Sequence, residues 1–191
     1  ESLHNLHTDT VQKQGWRIPG NISLDPGTGY RVYVNHFSNT NHKVDNKGTL
    51  TRNDFSFPVL THTTLSGCIP ASFPCDEVNL RGWNLLANPY PCDVDWDATG
   101  GAWTKPGQMN NAFYTWNANA GGYRVYLGTT GTPGVSLGST TASTNTNPSL
   151  IASGQAFFVN VTSPGSFTLT VKEAAKSVSS NASFTRSALA N

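Results

Sequence analysis

Charge is the scarcest property of this chain. Asp, Glu, Lys and Arg make up only 12% of its 191 residues, about half the share near 25% that is usual in soluble domains. The 12 basic and 11 acidic residues are scattered and leave a net charge of +1. No basic stripe is therefore available to follow a phosphate backbone, and nucleic acid is not an expected partner. Long apolar runs are also missing: nothing approaches the roughly 18 consecutive apolar residues of a spanning helix, so membrane insertion is not expected. The first residues lack the charged, apolar and small-residue order of a signal peptide. The chain is expected to be a piece of a longer precursor, with its targeting signal elsewhere.

What is abundant sets the class. The chain has 18 Gly and 11 Pro, with many Asn, Ser and Thr, beside 10% aromatic residues. Turn formers between aromatic and β-branched segments predict an all-β fold with little or no helix, and the apolar content is enough to fold it. Alternation and β-branched or aromatic content, bounded by turn residues, predict strands over 30–37, 50–57, 82–87, 112–117, 122–127, 155–161 and 166–171. Between them stand turns such as Asp25-Pro26-Gly27 and Ser163-Pro164-Gly165. An antiparallel β-sandwich follows, spanning 1–191 as one module. Two lobes, about 15–64 and 78–178, would share it across a cysteine-containing loop at 65–77.

Two hairpins are legible. Phe113-Tyr114-Thr115-Trp116 leads through an Asn- and Gly-rich turn into Tyr123-Arg124-Val125-Tyr126, where cross-strand aromatic pairs would set the register. The segment 156–161 is expected to turn back on 167–171. Residues 128–147 are almost entirely Gly, Ser and Thr and read as a loop. Residues 173–177 are too short for an unsupported helix. The string Gly29-Tyr30-Arg31-Val32-Tyr33 recurs as Gly122-Tyr123-Arg124-Val125-Tyr126, which suggests two pseudo-repeated halves. It reads as packing, with both tyrosines on one face and Arg and Val on the other.

Candidate chemistry is sparse. Cys68 and Cys75 bracket a short Pro-containing loop that a disulfide could close; Cys75 with Cys92, or three free thiols, are the alternatives. Asp93, Asp95 and Asp97 alternate ahead of Gly100-Gly101, like the start of a calcium loop, although the Gly and bidentate Glu of such a loop are missing. Capping of local turns by these carboxylates is the competing and preferred reading, and no cofactor is required. The five histidines have no nucleophile motif beside them, and no carboxylate pair is singled out for hydrolysis. An enzyme is not expected. Among the aromatic residues, Trp83 and Trp116 lie in strand patterns and are expected in the core, whereas Trp96 and Trp103, with Tyr90, are candidates for stacking on sugar rings and, as evenly, for filling the core.

The stretch Gly82-Trp83-Asn84-Leu85-Leu86-Ala87-Asn88-Pro89-Tyr90-Pro91, continuing through Asp95-Trp96-Asp97, resembles a β-rich module of large secreted proteins of the Bacteroidota. Such modules often precede the C-terminal sorting domain of type IX secretion. Further matches are Trp103-Thr104-Lys105, 111–117, Gly122-Tyr123, 151–159 and Phe184-Thr185-Arg186. The likeness covers 82–186 well and 24–59 more loosely; Cys92 and the Cys68–Cys75 loop depart from it. Asp9-Thr10-Val11 resembles the short O-glycosylation signal of that phylum, with Thr10 as acceptor.

The resemblance implies a non-catalytic structural or interaction module at the bacterial cell surface or in the extracellular space, within an adhesin-like protein. Its partners would be neighbouring domains, the secretion machinery during export, and glycans or other surface proteins. A carbohydrate-binding module attached to a secreted polysaccharide-degrading enzyme is the alternative.

Overall fold

The computed structural model describes residues 23–30, 48–62, 81–117, 122–128, 136–137 and 148–177. Twelve short strands are present among them: β1 (Phe55–Ser56), β2 (Leu60–His62), β3 (Trp83–Ala87), β4 (Val94–Asp95), β5 (Trp103–Thr104), β6 (Ala112–Asn117), β7 (Gly122–Leu127), β8 (Ser136–Leu137), β9 (Leu150–Ile151), β10 (Ala156–Asn160), β11 (Gly165–Phe167) and β12 (Thr170–Val171). A 3-10 turn at Glu173–Ala175 follows β12. The fold is all-β and sandwich-like, as the composition predicts. Of the expected features, most of the 30–37 strand, most of the 128–147 loop, Thr10, Cys68 and Cys75 lie outside the described residues.

The largest sheet has the order β3-β10-β6-β7-β8, and a second runs β1-β12-β5; β2 pairs with β11 and β4 with β9. Every strand pair among the described residues is antiparallel. The period of two sorts the residues of the large sheet. Leu86, Phe113, Tyr126, Phe157 and Val159 point inward to a core they share with Phe57, Leu60, Trp96, Leu169 and Val171. Phe57 joins the layers, meeting Phe157 edge-on at 6.1 Å and lying parallel to Trp103 at 6.3 Å. Each such side chain contributes about 1.5–3 kcal/mol when fully buried.

The expected β6–β7 hairpin forms, and its register places Phe113 opposite Tyr126 and Trp116 opposite Tyr123. Both aromatic pairs touch, at 5.4 and 5.1 Å between ring centroids. The placement of both tyrosines on one face is corrected. Residues three apart in a strand point to opposite sides, so Tyr126 enters the core while Tyr123 packs on the outer face against Trp116 and Phe158.

The second expected hairpin does not form. β10 is flanked by β3 and β6, whereas β11 pairs with β2 and β12 with β1 and β5. After Val161 the chain leaves the large sheet through a turn in which Gly165 has φ 141. Pairing with β1 and β2 seats Leu60, Leu169 and Val171, all fully buried, in the common core. The strand expected over 50–57 is shortened to two residues because Asn53 adopts the left-handed conformation, with φ 64. The entry to β3 depends on Gly82: its φ is 74, and a Cβ there would lie 1.9 Å from the carbonyl oxygen of Val161.

Candidate functional site

The acidic and aromatic segment begins where β3 ends. Asn88, buried at the strand's exit, donates its amide hydrogens to the carbonyls of Cys92, Ile151 and Ala152. Its own carbonyl accepts the N–H of Tyr90 at 3.0 Å. One side chain thus shapes the Asn88-Pro89-Tyr90-Pro91 corner and fastens it to β9. The corner drives Tyr90 inward, where its hydroxyl donates to the carbonyls of Asn53 at 2.6 Å and Val171 at 3.2 Å. Burial, then the charges of Glu173 and Asp54, push its pKa up to about 12.

β4 pairs with β9 and carries the next residues into the centre of the molecule. Trp96 is fully buried, with ring centroids of Trp103, Phe113 and Phe157 at 5.0, 5.5 and 6.1 Å. Its indole N–H donates to Asn111 Oδ1 at 3.0 Å. Trp103 lies between Phe57 and Trp96 and donates to the carbonyl of Asp95 at 2.7 Å. The proposed sugar platform of Tyr90, Trp96 and Trp103 is therefore corrected: stacking needs an open ring face, and these faces are spent on the interior. The expected places of the tryptophans are partly exchanged, since Trp116 is 44% exposed on the outer face of the large sheet.

The three alternating aspartates do not converge. Asp93 Oδ1 accepts the N–H of Ser153 at 3.2 Å, and Asp95 Oδ1 caps its own turn by accepting the N–H of Asp97 at 3.0 Å. Asp97 Oδ2 accepts the phenol of Tyr126 at 2.5 Å. Burial and this bond raise the Tyr126 pKa far above its ordinary value, keeping the phenol protonated. Among the described residues no three His, Cys, Asp or Glu side chains are grouped to hold a metal ion. Asp95 thus caps a turn, whereas Asp93 and Asp97 tie this segment to Ser153 and Tyr126. Cys92 is a free, half-buried thiol whose pKa is raised chiefly by burial.

The sequence reading missed Lys105 and Asn111. Lys105 Nζ reaches back from the end of β5 to the carbonyl of Trp96 at 2.9 Å and to Asn111 Oδ1 at 2.8 Å, and sits 3.9 Å above the Trp96 ring. Burial lowers its pKa to about 8, against the opposing pull of Asp97 and Asp95. Only the position of Lys105 directly after the Trp103-Thr104 strand hinted at an inward lysine. Also unforeseen is the outer aromatic layer. Trp83, Tyr114, Phe158, Tyr123 and Trp116 form a chain of edge-to-face contacts across β3, β10, β6 and β7, at 4.7 to 6.4 Å. Compared with known proteins, the chain matches no family model, no curated protein and no solved structure.

Proposed function

We propose that this chain is a non-catalytic, extracellular structural or interaction module of a large surface-displayed or secreted adhesin-like protein. The observation that carries this reading is the aromatic layer on the outer face of the large sheet. Phe158 is buried within the layer, but Trp116 and Leu127 remain 44% and 48% exposed, and exposed apolar side chains of that size mark contact surfaces more than they mark chemistry. The polar residues of the acidic segment support the same reading, since Asp93, Asp95, Asn88 and Tyr90 bond to the backbone of the scaffold. Neighbouring domains of the same polypeptide and the secretion machinery are the partners this role requires.

The role is tested by fusing the chain ahead of a type IX sorting domain and following its display on a bacterium that has that export route. Intact, protease-accessible chain on the cell surface is the expected result; retention inside the cell with the sorting domain functional would sink the proposal. Carbohydrate binding has one observation in its favour, the exposed ring of Trp116, which replaces Trp96 as the residue to test. On a glycan array, binding abolished by Trp116→Ala in a folded protein would favour that second reading over a purely protein-facing surface.

A further inference from the structure

We propose that Lys105 and Asn111 are joined by an intramolecular isopeptide bond, formed by attack of Lys105 Nζ on the side-chain carbonyl carbon of Asn111 with release of ammonia. Four features meet at this place. The nucleophile is already delivered: Nζ lies 2.8 Å from Asn111 Oδ1, one bond from the carbon it would attack, and holding reactants so close removes much of the entropic barrier. Burial lowers the Lys105 pKa to about 8, which makes the neutral amine accessible near physiological pH.

The carbonyl is polarised by the indole N–H of Trp96, 3.0 Å from Oδ1. This donor is fixed in a fully buried ring and would hold the negative charge that develops on that oxygen. A carboxylate is also at hand. A Cβ placed on Gly128 would lie 2.7 Å from Asn111 Nδ2 and 2.8 Å from Asp97 Oδ1, so both border the same point, and Asp97 is backed by the Tyr126 phenol.

The step balances without an oxidant or a co-reactant. The neutral amine adds to Cγ, and Asp97 accepts a proton from Nζ and returns it to Nδ2. The Cγ–Nδ2 bond then breaks, ammonia departs, and the Nζ–Cγ amide remains. The link would close the segment between β5, in the three-stranded sheet, and β6, in the large sheet, pinning the crossing between the layers.

Intact mass spectrometry of the full chain provides the test. The expected mass is lower than that of the sequence by one ammonia. Peptide fragmentation should place the loss between Lys105 and Asn111, with no backbone fragments separating between them. Amine-directed acetylation of the denatured protein should label every lysine except Lys105. Lys105→Arg and Asn111→Ala should each restore the mass calculated without the loss, and Asp97→Asn should slow or abolish bond formation. A wild-type chain of full sequence mass overturns the proposal, because a lysine held only by hydrogen bonds loses nothing. An ammonia loss that persists in Lys105→Arg also overturns it, since it would then come from cyclisation of an asparagine on the backbone.

Discussion

At the residue scale, buried polar side chains decide where this chain is robust and where it is vulnerable. Asn88 serves three carbonyls and one N–H. Removing a shared partner leaves buried groups unsatisfied at about 1–3 kcal/mol each. Asn88→Ala is expected to cost at least ~3 kcal/mol, read from the denaturant midpoint at unchanged slope. Thr115 presents the opposite case. Its Oγ1 is buried without a hydrogen-bond partner among the described residues, opposite Arg124, whose Nε is in the same condition. Thr115→Val removes an unpaired hydroxyl of similar shape and is expected to leave stability unchanged or raise it by up to ~1 kcal/mol; a clear loss would show that the hydroxyl has found a partner.

Tyr90 sets an alkaline limit. Its folded pKa of about 12 exceeds the ordinary 10.0, so the folded state holds its proton more tightly than the unfolded chain does. The stabilisation is complete below pH 10.0 and is lost as pH rises through about 12. Tyr90→Phe should therefore flatten the fall in melting temperature across that window, while lowering stability at neutral pH by about 1 kcal/mol for the lost hydrogen bonds.

At the element scale, hairpin β6–β7 was readable because its aromatic residues pair across the strands. The 50–57 and 166–171 segments were not, because the residues that cut them are ordinary in sequence. Nothing about Asn53 announces a left-handed conformation, and the break in the last segment reflects a change of partner from β2 to β1. Gly82 is a more informative position. Any Cβ there meets the Val161 carbonyl, whose own N–H donates to Gly82 O at 2.8 Å. Gly82→Ala should destabilise by well over ~1 kcal/mol, because it combines a forbidden backbone conformation with a steric clash. An unchanged melting temperature would count against the described strand entry.

For the molecule as a whole, the strands from 55–62 pair with those from 165–171, and Thr28 bridges to Leu86. Phe57 and Leu60 lie in the same core as Trp96 and Phe157. A fragment covering 78–191 would expose that core and lose the partners of β11 and one side of β12. It should fail to unfold cooperatively, whereas the full chain should show one transition by near-ultraviolet circular dichroism and calorimetry. Coincident, cooperative melting of the fragment would instead support two separable lobes.

The sequence by itself determined the all-β class, most of the longer strands and the existence of one hairpin. These rest on local properties, namely side-chain period, turn residues and pairs of neighbouring aromatics. Only the tertiary structure decided which aromatic residues are interior. Trp96 follows an acidic stretch yet is sealed by Trp103, Phe113 and Phe157, while Trp116 in a regular strand faces outward. It also decided that Asp93 and Asp97 bond to Ser153 and Tyr126 and that Lys105 meets Asn111. Those outcomes depend on contacts between segments distant in sequence, and on which of two faces meets the other layer, and no local pattern carries that information.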